Sequence, residues 1–232
     1  MASKQTDMMV ITPHPDDAEF SVAGTVVRWT RDGKKVIYVV CTNGDKGTSD
    51  RNMKPQELVK IREHEQLEAA RLLGVSEVIF LRHPDQSLED TPQFRKELVR
   101  LIRQYQPDVV VTASPYRRYM WHRDHRITGQ VALDAVFPYA RDHLSYPDLL
   151  EEKLEPHKVK EMWLWAADDA NYRSNVTETF DIKMAALGCH KSQVGDEMLP
   201  EMKERLRRWA ETMAEGEDFE LAEAFYRVQF NW

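Results

Sequence analysis

Residues 8–17 read Met8-Met9-Val10-Ile11-Thr12-Pro13-His14-Pro15-Asp16-Asp17, an apolar run that stops in two prolines, a histidine and two acids. The run Met8 to Ile11 is too continuous for a strand with one wet face and reads as a strand buried on both sides. Runs of the same kind recur at Val36 to Cys41, Val78 to Leu81 and Val109 to Val111. Between them lie helical stretches: Ala23 to Arg31; Pro55 to Leu73 with apolar Leu58, Ile61, Leu67 and Ala70; and Pro92 to Tyr105 with Phe94, Leu98, Leu101 and Ile102. Gly33, Gly74 and Pro107 stand where these helices should stop. Strands alternating with helices predict right-handed β-α-β crossovers, and so a Rossmann-like three-layer α/β sandwich with a mostly parallel central sheet.

In such a sheet ligands bind beyond the carboxyl ends of the strands, so the residues after each apolar run carry the functional reading. After the first run comes His14-Pro15-Asp16-Asp17, and after the second Thr42-Asn43-Gly44-Asp45. Arg82-His83-Pro84-Asp85 follows the third, and the fourth leads into Ser114-Pro115-Tyr116 and then His122-Arg123-Asp124-His125. Polar groups therefore converge on one edge. Beyond Arg141 the pattern weakens: Asp142 to Lys160 is polar and Pro-containing and is read as a lid, Met162 to Ala167 as a further strand, and Met198 to Glu217 as an amphipathic helix with a solvated face.

The chain has 232 residues, 42% of them hydrophobic and 31% charged, which suits one α/β domain over residues 1–232. No apolar run exceeds six residues, against roughly 18 needed to cross a bilayer, so no membrane partner is expected. The N-terminal stretch lacks the basic and apolar regions of an export signal. With only Cys41 and Cys189, neither a disulfide framework nor a Cys-rich zinc site is available, and a cytoplasmic setting fits. A formal net charge of -7 argues against nucleic acid as a partner.

A catalytic zinc takes three ligands from His and carboxylates and keeps one position open for water. His14 and Asp17 can reach one ion from a single turn if Pro15 restricts it, and His125, from the mouth of another strand, completes the set. Water in the open position would fall in pKa from about 15.7 towards about 7. Asp16 is then free to act as general base and to return a proton to a leaving amine. His122 could donate to the oxyanion of a tetrahedral intermediate, with Asp124 orienting it. The structural alternative is that Asp16 or Asp17 merely caps a helix. His122 and His125 could likewise be exposed helix-start residues with Asp124 as the cap, but both clusters fall at the expected ligand edge.

These motifs resemble those of the LmbE-like or PIG-L family of zinc-dependent N-acetylglucosaminyl deacetylases. The likeness runs through His14 to Asp17, Ala23-Gly24-Thr25, Thr42 to Thr48, Arg62-Glu63-His64-Glu65 to Leu73-Gly74, Arg82 to Asp85, His122 to His125 and His190-Lys191-Ser192-Gln193. The resemblance implies His14, Asp17 and His125 as metal ligands, Asp16 as general base and His122 as oxyanion stabiliser. It implies Arg62 and His190 as substrate-side residues. It implies Zn2+, with other divalent ions able to use the same donors, an N-acetylated amino-sugar substrate, and a homo-oligomer for which the C-terminal helix offers a surface. Many members have Pro where this chain has Arg123, which leaves that loop's rigidity open. Members act on N-acetylglucosamine in several conjugates and some on non-sugar amides, so the acyl acceptor stays open.

Two other readings stand beside it: a metal-dependent esterase or phosphoesterase using the same water, and a nucleotide-binding module without hydrolysis. The absence of G-x-G-x-x-G after the first strand counts against the last. Tyr116 to Trp121 is basic and aromatic and suits a sugar face, an anionic group or a subunit contact. His83 and His143 read as structural or surface residues, Cys41 as a core hydrophobe, and Cys189 as a neighbour of His190 with no required role.

Overall fold

A computed structural model describes residues 5–119 and 121–232. The parallel strands are β1 (Met8–Thr12), β2 (Val36–Thr42), β3 (Glu77–His83), β4 (Val109–Ala113) and β5 (Glu161–Trp165); β6 (Tyr172–Asn175) and β7 (Ala222–Gln229) complete the sheet. Its order is β3-β2-β1-β4-β5-β7-β6, with β7 antiparallel to both neighbours. The helices are α1 (Asp17–Ser21), α2 (Ala23–Arg31), α3 (Pro55–Leu73), α4 (Pro92–Tyr105), α5 (Arg123–Asp134), α6 (Asp148–Glu151), α7 (Phe180–Leu187) and α8 (Leu199–Met213). This is the mostly parallel α/β sandwich that the alternation of runs predicts.

Alternate residues of the central strands feed two cores. Met9, Ile11, Ile37 and Val39 pack with Leu98 and Ile102 of α4 and Val131 of α5. Met8, Val10, Val36 and Tyr38 pack with Val26 of α2 and Leu73 of α3 on the other face. Each fully buried Val, Leu or Ile contributes about 1.5–3 kcal/mol, which explains why these runs lack polar interruptions. Pro92 opens α4 behind Thr91, whose side chain accepts from Phe94 N–H, and Gly74 at φ 75° closes α3.

Three expectations need correction. β3 is half-buried, not buried on both sides, because it is the outermost strand and has one unpaired edge. The run Met162 to Ala167 leaves the sheet after Trp165, where Ala166 adopts φ 56° and breaks the extended backbone. The stretch Asp142 to Lys160 is packed down and does not hang as a lid. The Arg103 guanidinium donates to the carbonyls of Tyr139, Ala140, Asp142 and Ser145, and Leu149 and Val159 are fully buried. Among the described residues, no helix is long and apolar enough to cross a membrane.

The chain runs from β1 to β2 to β3 in one direction across the sheet, then returns to β4 and β5 on the other side of β1. The direction therefore reverses between β1 and β4, and a crevice opens at their carboxyl ends. The two His-rich motifs follow those two strands.

Candidate metal centre between strands 1 and 4

The turn after β1 brings His14, Asp16 and Asp17 to the crevice, with α1 starting at Asp17. Asp16 occupies the N-cap position at φ 98°, a left-handed conformation, and its side chain caps nothing. Asp17 accepts from the His14 N–H at 2.9 Å rather than from α1. The helix-capping explanation of these acids is thus not what the turn shows. His122 caps α5, its Nδ1 accepting from the Asp124 N–H at 3.2 Å, and His125 lies in the first turn of that helix. Gly129 lets α5 seat against β4, since a Cβ there would stand 2.3 Å from the Ala113 carbonyl oxygen.

Asp17 joins the two motifs. Its Oδ2 lies 3.0 Å from His14 Nδ1 and its Oδ1 3.3 Å from His125 Nε2. Donors bonded to one tetrahedral zinc at about 2.0–2.2 Å stand roughly 3.3–3.6 Å apart; the Asp17–His125 separation matches this, and the Asp17–His14 separation is the shorter one of a hydrogen bond. Ligand atoms of His14, His122 and His125 also lie within 4.8 Å of one another. His14 Nε2 faces Asp85 Oδ1 at 3.1 Å and Asp124 Oδ2 at 3.2 Å. Carboxylates on that nitrogen orient the ring and leave Nδ1 on the side of Asp17, an arrangement common behind metal-bound histidines.

The electrostatics also fit a cation. Asp16, Asp85 and Asp124 are buried, and Asp17 nearly so, around these imidazoles. Burial alone would lower the His14 pKa, yet Asp124, Asp17 and Asp85 outweigh it and push it up to about 11. Burial would raise Asp17, but His125 and His14 hold it down at about 2. Buried carboxylates at this density call for positive charge in their midst. For Asp16, burial and then the Asp17 charge raise the pKa to about 7, against the opposing pull of Arg62.

Asp124 orients His122 through its main chain and not through its carboxylate. Its carboxylate accepts from the N–H groups of Gln86 and Leu88 and faces His14, whereas its own N–H fixes His122. Arg123, standing where Pro is common, donates from Nε to the Leu88 carbonyl and ties α5 to the same loop. Asp85 is a buried acid at the crevice to which sequence reading gave no role, although its place after β3 put it at the ligand edge.

The structure places Arg62 and His190, the two residues expected on the substrate side, in the buried layer around the Asp16 turn. Arg62 is 3% exposed and donates to the carbonyls of Gly44 and Pro15 and to Asp16 Oδ2, at 3.0, 2.6 and 3.2 Å. Gly44, at φ 62°, and Gly47 leave room for this guanidinium, since a Cβ on either would stand 2.5 Å from Nη1. His190 is fully buried with Nε2 3.1 Å from Glu19 Oε2. Glu19 also accepts from Gln66, whose Oε1 accepts the Asp16 N–H. Ser192 is bound to Glu65 of α3 through its N–H and hydroxyl. These residues brace the turn from behind.

Among the remaining histidines, His83 is paired with Glu97 at 2.7 Å and packed on Phe94, and His143 is exposed. Cys41 is fully buried, and burial pushes its thiol pKa up. Tyr116, Tyr119 and Trp121 are 72%, 76% and 86% exposed on the loop after β4; Met120 lies outside the described residues.

Fold and site together define an α/β protein with a His and carboxylate centre suited to a metal ion at the sheet's switch point. The family described as PIG-L, GlcNAc-PI de-N-acetylase, matches residues 9–136, more than half of the chain. The diacetylchitobiose deacetylase of Thermococcus kodakarensis is 30% identical over 191 residues, covering 82% of this chain and 71% of that protein. A probable N-acetyl-alpha-D-glucosaminyl L-malate deacetylase of Bacillus anthracis is 27% identical over 197 residues, 80% of each chain. The structure of N,N'-diacetylchitobiose deacetylase from Pyrococcus horikoshii, complexed with its inhibitor MPG, aligns with a TM-score of 0.92 at 31% identity, covering 97% of this chain and 84% of that one. The chain belongs to the PIG-L, or LmbE-like, family.

Proposed function

We propose that this chain is a zinc-dependent deacetylase that hydrolyses the acetamide of an N-acetylglucosamine-type substrate. The observation that carries the reading is the position of Asp17 between His14 and His125, with Asp16 beside it and held apart by Arg62. His14 through Nδ1, Asp17 and His125 would hold the ion. When bound, a divalent ion supplies Lewis acidity to a water molecule and to the acyl carbonyl.

Asp16, raised to about 7 by burial and the Asp17 charge, is matched to take a proton from the attacking water near neutral pH and pass it to the departing amine nitrogen. The Asp124 N–H fixes His122 Nδ1 as an acceptor and leaves the ring proton on Nε2. Burial, then the neighbouring His14 and His125, lower the His122 pKa, so it serves as a neutral donor to the oxyanion of the tetrahedral intermediate. Asp124 and Asp85 position His14. The likeness to a diacetylchitobiose deacetylase and to a probable N-acetyl-alpha-D-glucosaminyl L-malate deacetylase supports an N-acetylated amino-sugar substrate.

The test is metal content measured beside acetate release from N-acetylglucosamine and diacetylchitobiose. About one metal per chain with release of acetate is expected; Asp16→Ala should keep the metal and lose turnover, and His125→Ala should lose the metal. Bound metal without cleavage of either sugar would leave the centre and remove the sugar assignment. Failure to bind added metal would overturn the whole reading.

A further inference from the structure

A cavity of about 690 Å³ lies between the end of β5, β7 and α8, with α1 and Arg117 of the loop after β4 also in its wall. Its size is that of a small-molecule site. Phe20 and Ser21 line it from α1, while none of His14, Asp16, Asp17, His122 and His125 does. It is therefore separate from the centre described above, and the two share one short helix.

Its lining is cationic in an acidic chain. Arg117, Arg173, Arg205 and Lys183 all contribute, and among the described residues none of the three arginines pairs with a carboxylate within 4.0 Å. Arg173 is half-buried and fixed by donation to the carbonyls of Ala170 and Tyr172. Lys183 is 5% exposed and meets Glu223 at 2.7 Å. Glu223 is already shared among the N–H groups of Gly24 and Thr25 and the Thr25 hydroxyl. The acids in the lining are Glu223, which is paired with Lys183, and Asp168 and Asp169, which are exposed and screened by water, so Arg173 leaves the inner wall with a positive charge that meets no carboxylate.

The rest of the lining is flat and apolar. Trp209 is 61% exposed on α8, with Phe20 and Leu206 also in the wall. Ala166 holds φ 56° on the rim, a conformation that costs free energy in a residue with a Cβ. Guanidinium groups recognise carboxylate and phosphate oxygens, and an indole offers a broad face to a ring.

We infer that this cavity is a second binding site, for a sugar-sized ligand carrying a carboxylate or a phosphate. Carboxylate and phosphate share the chemistry that Arg173 and Arg205 would read. Titration calorimetry with glucose 6-phosphate and with glucuronate tests it, with glucose and inorganic phosphate as controls. At least one of the two acidic sugars should bind saturably, and which one does selects phosphate or carboxylate. Binding should weaken about tenfold or more in Arg173→Ala, in the surface variant Arg205→Ala and in Trp209→Ala. Glucose alone and phosphate alone should bind at least about tenfold more weakly, and acetate release by the variants without added anion should match wild type. Saturable binding by neither acidic sugar would overturn the inference. So would binding that all three variants retain, or that His125→Ala abolishes, since the latter places the anion at the metal centre.

Discussion

Arg62 and Asp16 form a buried pair, Nη2 to Oδ2 at 3.2 Å, and the same nitrogen also donates to the Pro15 carbonyl at 2.6 Å. One guanidinium thus fixes both the backbone turn that aims Asp16 and the charge that limits its pKa. Burial and Asp17 raise that pKa to about 7, and Arg62 lowers it. Arg62→Gln removes the cation, so the Asp16 pKa should rise further. The acid limb of kcat/KM should then move to higher pH, each unit removing about tenfold of the ionised base on the acidic side. Arg62→Lys keeps the charge and should restore most of the limb's position, though not the full rate, because it loses the fork that holds Pro15 and Gly44. A profile unmoved in Arg62→Gln would show that the pair does not tune the base.

His122 provides a contrast with the residues proposed to hold the metal. Its Nδ1 is engaged by the Asp124 N–H, which leaves the ring proton on Nε2 for the proposed oxyanion bond. His122→Ala should lower kcat by about 10²–10³ with little change in KM, the size of losing one oxyanion donor. Metal content should stay at the wild-type level. Loss of the metal in this variant would move His122 into the ligand set, where its proximity to His14 and His125 would allow it.

Much of this was legible before any coordinates. The four apolar runs became β1 to β4, three of them because strands buried on both faces must be apolar on both, and Pro92 and Gly74 marked helix ends by backbone geometry alone. The crevice residues were legible because polar groups after such runs have one place to go. The antiparallel β6 and β7 were not. Tyr172-Arg173-Ser174-Asn175 has no apolar run, since an edge strand needs none, and β7 alternates polar with apolar residues beside a charged helix. Arg62 and His190 show a different limit: a charged residue within a motif looks the same in sequence whether it meets substrate or braces a turn. Their burial, with Glu19 and Gln66 behind Asp16, exists only in three dimensions.

His157 makes part of the stability pH-dependent away from the site. Its Nε2 donates to the Pro107 carbonyl at 2.8 Å where the Asp142 to Lys160 stretch meets the start of β4. Burial lowers its pKa, with the carbonyl bond opposing. A histidine depressed in the folded state binds a proton more readily when unfolded, so its contribution is complete above about pH 6.5 and is lost as pH falls through the folded value. Urea unfolding measured from pH 7.5 down to 5 should show wild type losing stability faster than His157→Gln, which keeps a donor without titrating. Parallel curves for the two proteins would assign the acid sensitivity elsewhere.

Gly129 sets the last expectation. A Cβ at this position would stand 2.3 Å from the Ala113 carbonyl oxygen and 3.0 Å from Pro115 Cδ, and neither neighbour is the end of a flexible side chain. Gly129→Ala must therefore lift α5 from the end of β4, although alanine favours a helix by about 1 kcal/mol over glycine. Overpacking of this kind costs about 1–3 kcal/mol, so net destabilisation is expected in urea titration. The same shift moves His122 and His125, at the start of α5, relative to His14 and Asp17 on the turn after β1. Metal affinity should accordingly fall together with stability. A variant as stable as wild type that binds metal equally well would show that the helix has slack at this contact and that the centre does not depend on how closely α5 is seated.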